Sequence, residues 1–177
     1  VLNETGNTEA SSVFEMFRDI LEENGTLNLD KIQILTPRKY GSFGSEAVNI
    51  RGILQGKPSF MPGTKLICEE NIYHNIGAKR SRKRILGLAN GSIGYVRDYR
   101  DIYFEDIEDL VEEYGPQEIY GLKSKIMDDI YSPLTSQTRI NFGYAITVHK
   151  SQGSDFFYVI LVLSEVNPFI TKELLYT

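Results

Sequence analysis

Between Tyr144 and Asp155 the sequence reads YAITVHKSQGSD, an apolar start that runs into Thr147, His149, Lys150, Ser151, Gln152 and Gly153, then Ser154 and Asp155. Hydroxyl, imidazole, ammonium and carboxamide groups at that density are suited to phosphate oxygens and base edges. Gly153 lets the backbone take a positive φ or approach a ligand closely, and the Asp155 carboxylate could accept hydrogen bonds from a ribose hydroxyl. The apolar run FFYVILVL that follows would anchor such a loop at a sheet edge, where α/β proteins commonly build sites. The same residues also read as a helix C-cap at Gly153 with exposed polar side chains, and their chemistry alone leaves both readings open.

The elements that must hold this cluster are legible in outline. SSVFEMFRDILEENG places Val13, Phe17, Ile20 and Leu21 at helical spacing, opened by a Ser12/Glu15 capping box and closed by Asn24-Gly25. DKIQILTP then reads as a short buried strand cut off at Pro37, and RKYGSFGSEAVNIRGILQG as a loop leading into a second helix that ends near Gly56. From Lys57 to about residue 135 the texture becomes short strand-like pieces, TKLICEENIY, GLANGSIGYVRDY and EIYGL, with Asn90-Gly91 a tight-turn signal. The remainder returns to α/β texture, with a strand or approach at TRINF, a short helix through YAITVHK, a buried strand in FYVILVL and a helix opening after Asn167-Pro168. The expected organisation is an α/β domain, residues 1–56 and 136–177, with a small β module inserted at 57–135. The chain stops within that last helix, as expected of a piece of something longer.

Composition sets outer bounds. With 177 residues, 41% of them hydrophobic, the chain can bury a true core. Its longest uncharged apolar run is far below the roughly 20 residues that cross a bilayer, and VLNETGNTEA lacks the features of a signal peptide. No membrane partner is expected. The single Cys68 has no internal disulfide partner, so a reducing, cytoplasmic setting is the expectation. The net charge of -5 hides an asymmetry, because KRSRKR at 79–84 carries five cations in six positions and FEDIEDLVEE at 104–113 carries six acids in ten. The basic run reads either as a phosphate-contacting patch or as a solvated loop. The acids alternate with Ile107, Leu110 and Val111 as on an amphipathic helix with a solvated face. His74 has no neighbouring metal-ligand types and reads as a surface or half-buried histidine, and most of the 11 tyrosines read as strand-packing residues.

YAITVHKSQGSDF resembles the C-terminal motif of superfamily 1 helicases, and most closely that of the RecD-like, 5′-to-3′ branch. QILTPRKYGSFGSEAVNIRGILQ is similar to the segment that opens the second RecA-like domain of that family, and FMPGTKLICEENIY with GLANGSIGYV is similar to its inserted SH3-like barrel. LLYT at the C-terminus resembles the start of the family's next motif, and together these cover most of residues 32–177. The implied fold is α/β: a RecA-like P-loop-NTPase-type domain, the second motor domain, UvrD-type at its C-terminal part, with a small SH3-like β-barrel inserted.

The resemblance implies a mechanism split between two RecA-like domains. ATP and Mg²⁺ would sit between them, with the phosphate-binding loop and metal ligands on the first domain, and single-stranded DNA would cross both. This sequence contains no Gly-x-x-x-x-Gly-Lys-(Ser/Thr) loop, so the chain alone is expected not to hydrolyse ATP. Carried over by position, Arg38, Gln152, Gly153 and Asp155 fall to the nucleotide, and Pro37, Asn49, Thr147, His149, Lys150 and Ser151 to the DNA track. Asp155 stands where the family has Glu, and Thr64 where it has Asp. Implied partners are single-stranded DNA, the first RecA-like domain of the same polypeptide and a repair or recombination protein. Two rivals remain: a helicase-fold protein that has lost motor function and only binds DNA, and a module whose charged loops bind a protein.

Overall fold

The computed structural model describes residues 32–41, 43–53, 60–78, 80–131 and 139–162. The helices expected over residues 12–24 and after Asn167-Pro168 lie outside them. The chain divides into two compact units, Val1–Ser59 with Tyr144–Thr177, and Phe60–Gly143. The fold is mixed α/β with several sheets.

The first unit is built on strand β1 (Ile32–Thr36), whose Ile-Gln-Ile-Leu-Thr sequence is buried along nearly its whole length, as a central parallel strand requires. It lies between two parallel neighbours, β8 (Ala145–Thr147) and β9 (Tyr158–Leu161). Ile32, Ile34, Val48, Ala145, Ile160 and Val162 form the core, with Phe43 against it. After β1 the chain loops into a short α1 (Ser45–Ala47) that continues as a π-helical segment, Val48–Ile53. YAITVHK is not the helix its sequence suggests: Ala145–Thr147 is extended and only Val148–Ser151 turns helical, as α4. Parallel pairing of Ala145, Ile146 and Thr147 with Ile34, Leu35 and Thr36 overrides local helical preference.

The second unit begins with β2 (Lys65–Cys68), β3 (Ile72–Ile76), β4 (Lys83–Leu88), β5 (Ile93–Asp98) and β6 (Asp101–Phe104). Two helices follow, α2 (Glu105–Tyr114) and α3 (Pro116–Tyr131), and then β7 (Ile140–Phe142). An antiparallel sheet runs in the order β6-β5-β2-β7, and β3 with β4 forms a separate ribbon. Asn90-Gly91 makes the turn before β5, with Gly91 at φ 96° and its N–H donating to the Cys68 carbonyl at 2.8 Å. Among the described residues no closed barrel forms.

EIYGL, expected as a strand piece, lies inside α3. Its apolar residues belong to a longer pattern, Ile119, Leu122, Ile126 and Ile130, which recurs every three to four residues and buries one helical face. Gly115 at φ 87° ends α2 and Pro116 opens α3, a position where the missing proline N–H costs no hydrogen bond. TRINF forms the strand expected of it: Ile140–Phe142 pairs with β2, within the compact unit Phe60–Gly143.

Candidate functional site

Thr36 at the end of β1 and Thr147 at the end of β8 are register partners. The two chains that leave the carboxyl end of this parallel sheet therefore start side by side, one carrying Pro37 and Arg38, the other His149 to Gly153. Carboxyl ends of parallel strands are where open α/β sheets place ligands.

The first loop is held by its own backbone. The Thr36 hydroxyl donates to the Arg38 carbonyl at 2.9 Å, and the Ser45 N–H donates to the same oxygen at 3.1 Å. The Glu46 N–H reaches the Lys39 carbonyl at 3.1 Å. Gly44 makes this closure feasible, because a Cβ there would stand 2.3 Å from the Lys39 carbonyl oxygen. Pro37 is buried and Arg38 exposed. The Arg38 guanidinium arches back over Gly41, 3.2 Å from where a Cβ would lie. Among the described residues it forms no salt bridge.

Asn49 is used differently. Its side chain is buried, donating from Nδ2 to the Ala145 carbonyl at 2.9 Å and accepting the Ala145 N–H on Oδ1 at 2.7 Å. A carboxamide closing both backbone groups of one residue fixes that residue, and here it fixes the start of β8. Gln33 adds a second tie, its Nε2 donating to the Tyr144 carbonyl at 2.9 Å. Sequence reading placed Asn49 on the DNA track; geometry gives its amide to Ala145.

The second loop leaves β8 through Thr147, an extended residue at φ -77°, ψ 149°, and makes the single turn of α4. His149 projects into solvent, Lys150 and Ser151 are half-buried, and the Ser151 hydroxyl donates to the Val148 carbonyl at 2.8 Å. Gln152 and Gly153 are exposed, Gly153 at φ 85°, in the left-handed region that suits glycine. Asp155 is exposed and comes three positions before Tyr158, whose partner is Ile32 at the opposite, amino end of β1. Pro37, Arg38 and Thr147 thus share the carboxyl end with α4, whereas Asp155 lies on the return toward the amino end.

Thr36, Gln33 and Gly44 are positioning residues that sequence reading did not single out. Their partners lie up to 111 residues away, and only the Gly-x-x-Gly spacing of Gly41 and Gly44 hinted at a tight loop. Among the described residues no group of three or more His, Cys, Asp or Glu side chains converges as a metal site. No helix among them is long and apolar enough to cross a membrane.

No family model matches the chain. It is 29% identical over 193 aligned residues to an uncharacterized protein of Methanocaldococcus jannaschii, covering 89% of this chain and 15% of that protein. It is also 25% identical over 158 residues to the ATP-dependent RecD2 DNA helicase of Deinococcus radiodurans, covering 82% of this chain and 18% of the helicase. The chain therefore has a distant helicase relationship, and it spans under a fifth of the length of either relative.

Proposed function

We propose that this chain is the second, RecA-like motor domain of an ATP-dependent DNA helicase that moves 5′-to-3′ on single-stranded DNA, with Phe60–Gly143 as its SH3-like insertion. The observation that carries the reading is the register pairing of Thr36 with Thr147, which starts the Arg38 loop and the His149–Gly153 loop from adjacent strand ends. Similarity to a helicase supports it.

In this reading the two loops divide the work. Arg38, an exposed guanidinium outside any salt bridge among the described residues, suits a terminal phosphate of ATP. Thr147, His149 and Lys150 supply donors for a DNA backbone, with Pro37 beside them and Ser151, whose hydroxyl goes to the Val148 carbonyl, lining the track. Gln152 and Gly153 form the turn between the two ligands. Asn49 acts through Ala145, holding β8 so that Thr147 and α4 leave at a fixed point. Asp155 would reach ribose only through its placement on the return loop. ATP bound with Mg²⁺ would supply the phosphoryl-transfer energy, its metal ligands coming from the first motor domain.

The test is ATP hydrolysis by the intact parent polypeptide, with and without single-stranded DNA, for wild type and Gln152→Ala, beside the 177-residue chain alone. DNA-stimulated hydrolysis that is lost in Gln152→Ala supports the coupling turn. A well-folded parent without ATPase under any DNA condition overturns the motor reading and favours a non-catalytic DNA- or protein-binding module.

A further inference from the structure

Arg80 to Arg84 of the basic run lead from the turn into β4 of the β3–β4 ribbon, with a Ser81 N–H to Ala78 carbonyl bond at 2.9 Å in the turn. Alternation sorts its two faces. Ile72, Ile76 and Ile85 point into the core, while Tyr73, Asn75, Arg84 and Leu86 face solvent. Asn75 pairs with Arg84 and Tyr73 with Leu86, and the Arg84 guanidinium lies 4.2 Å from the Tyr73 ring centroid. Arg80 and Arg82 extend beyond it, exposed and outside any salt bridge among the described residues.

The ribbon is braced from behind. The His74 Nε2 lies 2.8 Å from the Glu118 carbonyl, and the Gly77 N–H donates to the Glu118 carboxylate at 2.9 Å. Lys83 turns to the other side, its Nζ 3.4 Å from the Tyr114 hydroxyl. Those contacts occupy Glu118 and Lys83 at the back, while Arg84 stands on the solvent face and Arg80 and Arg82 are exposed at the turn, on a chain whose net charge is -5.

We infer that the Arg80, Arg82 and Arg84 face of the ribbon binds the phosphate backbone of duplex nucleic acid without regard to sequence. A protein partner is the weaker fit, because a stable protein interface buries about 800 Å² per side around an apolar centre, and among the described residues of the ribbon the large exposed hydrophobics are Tyr73 and Leu86. Phosphate contacts need no such centre. Single strands are held largely by stacking on aromatic faces, and the Tyr73 ring already carries Arg84. What remains is charge, and duplex DNA offers the densest phosphates, about one per 1.7 Å of axis. A two-stranded ribbon also fits the major groove. This site lies wholly in Phe60–Gly143 and stands or falls apart from the motor reading.

The experiment is fluorescence anisotropy of the 177-residue chain on a random-sequence duplex of about 20 base pairs, across about 50 to 200 mM salt. Replacing all three arginines (Arg80→Ala, Arg82→Ala, Arg84→Ala) should weaken binding by about tenfold or more and reduce the slope of log K against log salt by roughly 0.9 per arginine. Replacing all three by lysine should keep the slope, since lysine contacts phosphate as a point charge. Urea unfolding confirms that each variant is folded. Wild type that does not bind duplex, an alanine variant with unchanged slope, a lysine variant that loses the slope, or arginine-dependent binding that prefers a single strand of equal length would each overturn the inference.

Discussion

Asn49 and Ala145 close a two-bond ring, the side-chain amide donating at 2.9 Å and accepting at 2.7 Å, so that one carboxamide saturates both backbone groups of a residue 96 positions away. Asn49→Ala leaves the buried Ala145 N–H and carbonyl without these partners and should destabilise the chain by about 2–3 kcal/mol. Asn49→Asp keeps the acceptor but buries a carboxylate against the Ala145 carbonyl, and should cost at least as much. Urea unfolding of the 177-residue chain reads both.

Gly87 and Leu122 should show coupling. A methyl group on Gly87 would meet Leu122 Cδ2 at 2.8 Å, so Gly87→Ala overpacks the interior by about 1–3 kcal/mol. Leu122→Ala alone should cost about 2–5 kcal/mol through its cavity. In the double variant the added methyl meets freed space, and the loss should fall short of the sum by about 0.5–2 kcal/mol. A strictly additive double-mutant cycle would contradict this packing.

Asp106, in the first turn of α2, accepts the Ser92 hydroxyl at 2.7 Å and the Ala89 N–H at 3.2 Å. It pins the β4–β5 turn to a helix whose N-terminal dipole favours a carboxylate. Asp106→Ala should cost about 1–3 kcal/mol, and Asp106→Asn, which keeps an acceptor, less. Thermal unfolding of the two variants gives the order.

Tyr131 donates its hydroxyl to the Phe60 carbonyl at 3.0 Å. Burial, then the neighbouring Tyr99 and Asp98, raise its pKa above the ordinary 10.0 by disfavouring the phenolate. An acid with a raised folded pKa contributes stability that is fully present below the unfolded value and lost as pH rises through the folded one. The difference in urea midpoint between wild type and Tyr131→Phe should hold steady in neutral buffer and shrink above about pH 10. A difference that grows with alkalinity would reverse the sign.

Elements whose signals are local were readable from sequence. The strand ending at Pro37, the tight turn at Asn90-Gly91 and the amphipathic helix with Ile107 each carry their cue within a few residues. α3 is hidden in the window EIYGL, which is too short to separate periods, although Ile119, Leu122, Ile126 and Ile130 spell a helix over the longer span. β8 is hidden for another reason: three residues carry no period, and its extended form comes from pairing with a strand more than 100 positions away. The residues of the candidate site were visible as chemistry. The division between groups that face solvent, such as His149 and Arg38, and groups consumed in holding the backbone, such as Asn49, exists only once distant strands meet.

The inserted unit begins and ends at one place. Phe60 and Phe142 stack with ring centroids 4.4 Å apart, β2 pairs with β7, and the Gly143 N–H donates to the Lys65 carbonyl at 2.9 Å. To the polymer statistics of the first unit, the whole stretch Phe60–Gly143, once folded, is a clasp with its ends already together. Loop-closure entropy grows with the length of a flexible connector, by about 0.6 kcal/mol per doubling, and a folded insert presents almost none of its own length. The insertion is therefore a cassette: exchanging it for a tight hairpin alters the surface it carries far more than the entropy of joining Ile34 to Ala145.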